Sequence, residues 1–251
     1  ELEQAKLKKG TATLAFQGKV ALVTGGGNGI GKASVQTLLE QGAAVAALDI
    51  DPAVEELFAH SSFLGLTCDV GNGEAIEAGI AKILRRFGGI DIVVSNAGIF
   101  TAGATIAEMN DGDWERSLNI NLSATMRLLR ACTPYLELGI DPAVVIVGSK
   151  NVPAPGRAAG AYSVAKAGLT QLARVAALEL AESGIRVNTV HPNAVFDTGI
   201  WTDEVLAARA ARYGLTVEQY KTNNLLATEV VSRDVARMVC AMAGEGFAKS
   251  T

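Results

Sequence analysis

The sequence predicts an α/β protein, a single domain in which a doubly wound parallel sheet is covered by helices on both faces. Short apolar segments alternate with segments of helical periodicity along the chain, an order typical of βαβ units. The short segments are almost continuously apolar, which indicates strands buried on both faces of the sheet. A chain of 251 residues is long enough to bury the core of such a domain.

The predicted elements follow one another in regular order. Strands are expected at residues 19–24, 43–49, 62–69, 90–98, 143–149 and 185–192. Helices are expected at residues 31–42, 73–89, 111–137 and 158–184. Because crossovers between parallel strands are right-handed, these units predict one sheet of the Rossmann type.

Two segments do not fit this alternation. Residues 1–17 contain several lysines and few apolar residues, which predicts a linker or a docked arm ahead of a domain at residues 18–251. Residues 199–228 contain short helical segments, and we expect them to form a lid over the carboxyl ends of the strands.

Composition and charge narrow the function classes. The formal net charge is −4 without a dominant basic stripe, so we expect a small-molecule substrate and neither nucleic acid nor membrane as partner. The sequence has no apolar run of membrane-spanning length and opens without an apolar signal segment, which predicts a cytoplasmic protein. Cys68, Cys132 and Cys240 lie in apolar surroundings and are expected to be reduced. The two histidines, His60 and His191, are far apart in sequence, so we expect no metal site.

A glycine-rich segment, TGGGNGIG at residues 24–31, follows the first predicted strand. Its glycines would allow a tight turn, a close approach to a pyrophosphate and close packing of the next helix, whose N-terminus favours phosphate. The spacing G-x-x-x-G-x-G differs from the dinucleotide fingerprint G-x-G-x-x-G, and a glycine-rich surface turn is the alternative. The cofactor contacts expected here are Thr24, Gly25, Asn28, Gly29, Ile30 and Gly31.

Further cofactor contacts are expected where the next strands end. Asp49 ends the second strand, where a carboxylate binds the ribose hydroxyls of NAD and repels the 2′-phosphate of NADP. Asn28 stands where a basic residue would favour that phosphate, so the sequence predicts NAD. Asp51 is the alternative carboxylate. After the third strand, Asp69 and Val70 are expected beside the adenine. After the fourth strand, Asn96, Ala97 and Gly98 are expected beneath the cofactor. The alternative for these three residues is a loop with an asparagine cap.

Tyr162 and Lys166 lie in the segment AGAYSVAKAG, residues 159–168, whose other residues are mostly alanine, glycine and serine. One helical turn separates the pair, so both share a helix face. A phenol is a poor base at neutral pH, but a nearby ammonium and a positively charged nicotinamide favour the phenolate. Tyr162 could then accept a hydroxyl proton while hydride leaves the same carbon. A surface helix with an ordinary lysine is the alternative.

Two other polar residues are expected beside this pair. Ser149 ends the fifth strand, at the sheet edge where ligands bind, and its hydroxyl can hydrogen-bond a substrate oxygen. Asn121 stands in the middle of a predicted helix, where asparagine is mildly unfavourable. A water held by its side chain in a proton path to Lys166 would explain it. Asn119 is the alternative position.

Taken together, these motifs resemble the short-chain dehydrogenase/reductase family from Lys19 onward. The resemblance implies that Asn121, Ser149, Tyr162 and Lys166 form a catalytic tetrad, with Tyr162 as acid/base and Lys166 on the nicotinamide ribose. It adds Pro192 to the cofactor contacts and implies a homotetramer or homodimer formed through the two long helices. The chain departs from the family in reading His-Pro-Asn-Ala at residues 191–194 and in lacking the family's final strand.

The segments GSKN, HPNAVFDTGIW and ELEQAKL are also similar to the dehydrogenase half of bifunctional proteins that join a class II aldolase to a short-chain dehydrogenase. That resemblance implies an N-terminal aldolase domain before residues 1–17, and lactaldehyde or another sugar-derived hydroxyaldehyde as substrate, reacting as its hydrate.

The sequence therefore predicts an NAD-dependent oxidoreductase that acts on a small hydroxy or carbonyl compound. The substrate contacts expected are Ser149, Asn151, Tyr162, Asn193, Phe196 and Trp201. The alternative from another class is a catalytically silent dinucleotide-binding sensor or scaffold, which would need no tyrosine–lysine pair. Extended relatives that act on nucleotide sugars are a third interpretation.

Overall fold

Six parallel strands form the central sheet of the computed structural model, which describes residues 14–101 and 103–251. The strands are β1 Val20–Thr24, β2 Ala44–Asp49, β3 Phe63–Thr67, β4 Ile92–Ser95, β5 Ala143–Val147 and β6 Arg186–Val190. Their order across the sheet is β3-β2-β1-β4-β5-β6, which makes the boundary between β1 and β4 the point where the strand order reverses. The predicted fold class is confirmed, and no strand follows β6 in the part of the chain described.

Helices cover both faces of this sheet. They are α1 Gly29–Glu40, α2 Gly73–Phe87, α3 Asp111–Leu118, α4 Ala124–Leu136, α5 Gly160–Leu180, α6 Asp203–Arg212, α7 Val217–Lys221 and α8 Ser232–Ala243. Buried residues of α2, α4 and α5 form one apolar core, and those of α1 and α8 form the other. Within the described ranges, no helix combines the length and the apolarity that crossing a membrane requires.

The helix predicted at residues 111–137 runs without a break over residues 111–136, but it is not α-helical throughout. A π-helical turn, Asn119–Ser123, separates α3 from α4. Such a turn has a wider hydrogen-bond pattern than an α-helix, and it occurs frequently at functional sites. Here it contains Asn121, whose side chain is 1% exposed and bonds to the loop that follows β4. The predicted helix at residues 158–184 is shorter than expected, because α5 spans Gly160–Leu180.

Two ends of the described chain pack more closely than the sequence indicates. Helix α8, which has no counterpart among the predicted elements, buries Val235, Val239 and Cys240 in the core that it shares with α1. Phe16 belongs to the same core with an exposed fraction of 1%, although it falls in the segment predicted as an arm. Residues 1–13 of that segment lie outside the described residues.

The three cysteines are buried and free of disulfide bonds. Burial raises the pKa of the Cys68 thiol to about 11, and it raises the pKa values of Cys132 and Cys240 to about 12. The reactive thiolate is therefore disfavoured at all three positions, which indicates packing rather than chemistry.

Candidate active site

The loop from β1 to α1 takes its shape from glycines. Gly25 and Gly29 have φ values of +62° and +51°, which glycine adopts without strain. A Cβ atom on Gly31 would lie 1.8 Å from the carbonyl oxygen of Gly25, so only glycine lets α1 begin this close to β1. The Oδ1 atom of Asn28 accepts a hydrogen bond from the N–H of Gly29 at 2.6 Å. The turn thus directs the N-terminus of α1 to the carboxyl edge of the sheet, where an anion is favoured.

Asp49 contacts this glycine turn, whereas the carboxylate of Asp51 is used elsewhere. The Oδ2 atom of Asp49 accepts a hydrogen bond from the N–H of Gly27 at 2.8 Å. A Cβ atom on Gly27 would lie 2.9 Å from that same oxygen, so the close contact needs glycine. Asp51 accepts from the N–H of Ala53 at 2.9 Å and caps a short 3₁₀ helix. Of the two alternatives, the geometry favours Asp49 as the carboxylate beside the turn.

The loop after β4 is tied to the same turn at the strand-order reversal. The Nδ2 atom of Asn96 donates to the carbonyl oxygens of Thr24 and Gly25 at 3.0 and 3.1 Å. The Oγ1 atom of Thr24 accepts from the N–H groups of Asn96 and Ala97 at 3.0 and 3.1 Å. These four bonds hold the ends of β1 and β4 in fixed register. Asn96 therefore has a structural function in this loop whether or not a cofactor is bound.

The other residues predicted to contact a cofactor lie along the same edge. Asp69 is exposed and accepts a hydrogen bond from the N–H of Gly71 at 2.8 Å, while Val70 is buried. Ile30 is half-buried against the core beneath α1. Pro192 follows β6, and its carbonyl oxygen accepts from the N–H of Lys150 at 2.9 Å.

Ser149, Tyr162 and Lys166 converge beyond the carboxyl end of β5. The hydroxyl of Ser149 is hydrogen-bonded to the phenol of Tyr162. The Nζ atom of Lys166 donates to the carbonyl oxygen of Val147 at 2.8 Å and lies 5.8 Å from the centre of the Tyr162 ring. Ala165, between them, is fully buried. Small residues at such positions let α5 approach the sheet closely enough for the lysine to reach the β5 backbone.

Burial governs the protonation of this group. Desolvation raises the pKa of the Tyr162 phenol, and the hydrogen bond with Ser149 offsets only part of that rise. Desolvation also lowers the pKa of Lys166 to about 8. In the chain by itself the pKa of the phenol therefore moves upward, opposite to the direction that a base at neutral pH requires, because the cost of burying a charge exceeds the gain from one hydrogen bond.

The structure distinguishes Asn121 from its alternative, Asn119. A Cβ atom on Gly98 would lie 2.9 Å from Oδ1 of Asn121 and 3.6 Å from Nζ of Lys166, so Gly98 leaves the space between them open. Asn119 lies instead beside Gly71, and its Oδ1 atom accepts from Arg127 at 2.7 Å.

The side chain of Asn121 holds the loop after β4. Its Oδ1 atom accepts from the N–H of Ile99 at 3.0 Å, and its Nδ2 atom donates to the carbonyl oxygen of Ile99 at 3.0 Å and to Ser117 at 3.2 Å. Both ends of the amide are thus already hydrogen-bonded. The expectation that this side chain directs a water toward Lys166 stays a prediction, because an amide oxygen can accept a second hydrogen bond.

Four further residues predicted to contact a substrate are two aromatic residues, which touch each other, and two asparagines. Phe196 and Trp201 are in contact, with ring centres 5.0 Å apart. The N–H of Asn151 donates to the Ser149 hydroxyl at 3.1 Å, and Asn193 is exposed just after Pro192.

Sequence reasoning missed several side chains near these residues. The ring centre of Tyr220, in α7, lies 5.8 Å from that of Phe196 and 6.1 Å from that of Trp201, and the ring of Tyr213 stacks on the Tyr220 ring. The ring of Phe100 lies 5.2 Å from that of Tyr162. A small pocket beside the phenol is lined by Phe100, Thr101, Ala104, Met109, Asp113 and residues 158–162. The two tyrosines fall in the predicted lid, but the part of the loop after β4 that contains Phe100 and Thr101 has no signature that would single out these residues.

Comparison with known proteins identifies the family. The sequence pattern described as short chain dehydrogenase matches residues 19–208. The chain belongs to the short chain dehydrogenase family. The class of enzyme predicted from the sequence, an oxidoreductase of this family, is thereby confirmed.

Relatives within the short chain dehydrogenase family vary in length and in what they act on. The uncharacterized oxidoreductase YuxG of Bacillus subtilis is 33% identical over 266 residues, an alignment that covers 100% of this chain and 38% of YuxG. The 2,3-dihydro-2,3-dihydroxybenzoate dehydrogenase of the same organism is 32% identical, with 89% of this chain and 88% of the relative covered. The structure of NAD⁺-bound xylitol dehydrogenase superposes with a TM-score of 0.85 at 26% identity, covering 94% of this chain and 96% of the other. This chain therefore spans well under half of YuxG and most of the other two.

Proposed function

We propose that the protein is an NAD-dependent dehydrogenase that transfers hydride between the nicotinamide and a small hydroxy or carbonyl compound. The observation that carries the proposal is the convergence of Ser149, Tyr162 and Lys166 beyond β5, with Asn121 near Lys166 on the other side of Gly98. A protein that only binds a dinucleotide needs no phenol and ammonium buried together at this edge of the sheet.

The residues around the glycine turn fit a dinucleotide. A Cβ atom on Gly31 would meet the carbonyl oxygen of Gly25, and one on Gly27 would meet the carboxylate of Asp49. Glycine at both positions therefore keeps the turn tight, which suits the close approach of a pyrophosphate. Asp49 lies beside the turn with one oxygen on Gly27, and its charge favours the ribose hydroxyls of NAD over the 2′-phosphate of NADP. When bound, NAD⁺ would accept hydride from the substrate carbon, and NADH would return it to a carbonyl.

In the direction of oxidation, Tyr162 accepts the proton of the substrate hydroxyl at its phenolate oxygen. The Ser149 hydroxyl, already bonded to the phenol, hydrogen-bonds the same substrate oxygen. Lys166, with a pKa of about 8, is mostly protonated at neutral pH, and its positive charge favours the phenolate. One of its protons is bound to Val147, which leaves two for the hydroxyls of the nicotinamide ribose.

The substrate class that we propose is a small polyol or hydroxyaldehyde, with lactaldehyde as the first candidate. The N–H of Asn151 bonds the Ser149 hydroxyl, Asn193 is exposed just after Pro192, and the amides of both residues suit hydroxyl groups. The aromatic contact between Phe196 and Trp201 suits a small carbon skeleton. The xylitol dehydrogenase among the structural relatives acts on a polyol. The comparisons support the dehydrogenase at residues 19–208 and give no support to a fused aldolase domain, which is no part of the proposal.

We also propose that the protein self-associates through α4 and α5. These helices expose Met126, Val164, Val175 and Leu178 by 39%, 49%, 39% and 80%, apolar surface that a second copy of the chain would bury. The mass of the protein in solution, measured by light scattering, distinguishes a homotetramer or homodimer from a monomer.

A screen for NADH formation tests the proposed function. The chain is assayed with NAD⁺ and with NADP⁺ against small hydroxyaldehydes, polyols and sugars, and Tyr162→Phe serves as the inactive control. We expect turnover with NAD⁺ on at least one small hydroxy compound and none in the control. A chain that binds NAD⁺ but oxidises no compound would instead be a silent dinucleotide-binding protein.

A further inference from the structure

The imidazole of His191 lies against the backbone of Ser149. Its Nδ1 atom is 3.2 Å from the amide nitrogen of Ser149 and 3.1 Å from the carbonyl oxygen of the same residue. With Nδ1 unprotonated, the ring accepts a hydrogen bond from that N–H; with Nδ1 protonated, it donates one to that oxygen. Either form of the ring thus has a partner on the residue that bonds Tyr162.

The absence of a side chain at Gly148 makes room for this ring. A Cβ atom on Gly148 would lie 2.7 Å from Nδ1 and 2.8 Å from Cε1 of His191, closer than any real contact. The glycine and the histidine therefore fit each other, although Gly148 follows β5 and His191 follows β6.

The ring stands where the pairing of β5 with β6 loses a hydrogen bond. The strands pair through Val147 and Val190, and the pairing continues as the N–H groups of Gly148 and Lys150 donate to Val190 and Pro192 at 2.8 and 2.9 Å. Proline has no N–H with which to return such a bond. Imidazole supplies the polar contact between the two chain segments at this level.

The position of the Ser149 hydroxyl oxygen depends directly on the position of the Ser149 backbone. Its hydroxyl is bonded to the phenol of Tyr162 and accepts from the N–H of Asn151 at 3.1 Å. Only the rotatable bond between Cα and Cβ separates a serine hydroxyl oxygen from the backbone, so a shift or rotation of the backbone moves the oxygen directly. A displacement of about 1 Å is enough to cost a large part of catalysis.

We propose that His191 is a positioning residue, which holds the backbone of Ser149 so that the serine hydroxyl faces the Tyr162 phenol and the substrate oxygen. This inference rests on the proposed function, because it assigns His191 a task within that site. His191 acts through Ser149 and needs no contact with substrate or cofactor.

Two substitutions of His191 separate positioning from packing. His191→Leu keeps apolar volume but removes the polar contact, whereas His191→Asn keeps an amide atom at the level of Nδ1 that can accept or donate. We expect His191→Leu to lower kcat roughly tenfold, the equivalent of one neutral hydrogen bond, with the KM for NAD⁺ unchanged. We expect His191→Asn to recover most of the loss. Equal kcat in wild type and a folded His191→Leu, or an Asn variant as impaired as the Leu variant, would overturn the proposal.

A second readout does not depend on turnover. The hydrogen bond with Ser149 lowers the pKa of the phenol, so a misplaced Ser149 should move the ultraviolet titration of Tyr162 to higher pH. Subtracting the spectrum of the matching Tyr162→Phe chain isolates this phenol from the other tyrosines. We expect the shift in His191→Leu and not in His191→Asn, and an unchanged titration in both would overturn the proposal even if no substrate had been found.

Gly148→Ala tests the same contact from the other side. Its Cβ atom must displace the imidazole, so a folded Gly148→Ala chain should show the loss of kcat and the shift in titration seen in His191→Leu. Wild-type values for both would contradict a role for the ring, and this variant keeps the test open if His191→Leu does not fold.

Discussion

The ammonium of Lys166 is buried 5.8 Å from the centre of the Tyr162 ring. One turn of α5 separates the two residues, and the hydrogen bond from Lys166 to Val147 fixes their distance from β5. The ammonium of Lys166, which is charged, and the phenol of Tyr162, which must become charged to act as a base, therefore share a site where burial disfavours charge. This relationship has consequences for stability, for pH dependence and for activity.

Replacement of Lys166 by methionine should stabilise the protein while abolishing turnover. Burial lowers the pKa of this lysine from 10.5 to about 8, so holding it protonated at neutral pH costs about 3 kcal/mol. Methionine removes that cost but leaves the Val147 carbonyl without its donor, at a loss of about 1 kcal/mol. We expect Lys166→Met to raise the free energy of unfolding at neutral pH by about 2 kcal/mol, as measured by urea denaturation.

The sign of the pH dependence provides the control for this substitution. Between the folded pKa of about 8 and the unfolded value of 10.5, the unfolded state binds more protons, so the wild type gains stability as pH rises. The advantage of Lys166→Met should therefore shrink over this range. A variant that is less stable than wild type at neutral pH would show that the lysine is not held at a cost.

Oxidation by this enzyme should be faster at alkaline than at neutral pH. Desolvation raises the pKa of Tyr162, and the phenolate that accepts the proton becomes populated only as pH rises. Reduction of a carbonyl needs the protonated phenol and should show the opposite trend. The pH profiles of kcat/KM in the two directions check this expectation.

Ser149→Ala should move the profile for oxidation further toward alkaline pH, because it removes the hydrogen bond that lowers the pKa of the phenol. It should also lower kcat, since the substrate oxygen loses a donor. A profile displaced toward acidic pH would mean that Tyr162 is not the titrating base.

Asp49→Ala should reverse or abolish the preference for NAD⁺. The substitution removes the charge beside the glycine turn, so kcat/KM should fall with NAD⁺ and rise with NADP⁺. Asp51→Ala is the matched control, because that carboxylate caps a short helix and its loss should cost about 1 kcal/mol of stability without changing the preference. If Asp51→Ala and not Asp49→Ala altered the ratio of kcat/KM values, the assignment of the ribose carboxylate would be wrong.

Gly31→Ala should prevent cofactor binding or folding. Its Cβ atom would lie 1.8 Å from the carbonyl oxygen of Gly25, so α1 would have to move away from β1 and the phosphate-binding turn would open. Gly89→Ala, where a Cβ atom meets no other atom within 4 Å, should leave unchanged both the thermal stability and the affinity for NADH measured by fluorescence. Tight NADH binding by Gly31→Ala would contradict the proposed position of the pyrophosphate.

The alternation of strands and helices was predictable from sequence because buried parallel strands are short, apolar and separated by helical periodicity. The π-helical turn at Asn119–Ser123 was not, since it accompanies hydrogen bonds between Asn121 and Ile99, which belong to elements distant in sequence. For the same reason the sequence favoured Asn121 but could not exclude Asn119 as the alternative.

The identity of the reactive residues was predictable from the sequence, but their burial and their contacts in the folded chain were not. Tyr162, Lys166 and Ser149 could be selected from spacing and from their expected places at strand and helix ends. The upward shift in the pKa of the phenol depends on how closely α5 packs on the sheet, which no local pattern records. The contact of His191 with Ser149 likewise requires the relative positions of β5 and β6, and Tyr220 is marked only by three-dimensional contact with Phe196.

The central claim, that Tyr162 exchanges the proton that accompanies hydride transfer, is tested most directly by kcat of Tyr162→Phe. The matched control is Tyr135→Phe, the same loss of a hydroxyl in α4 outside the site. We predict that Tyr162→Phe binds NADH as wild type does but loses kcat by at least about a hundredfold, the typical contribution of a general acid or base, while Tyr135→Phe turns over normally. Wild-type turnover by a folded Tyr162→Phe chain would contradict the account.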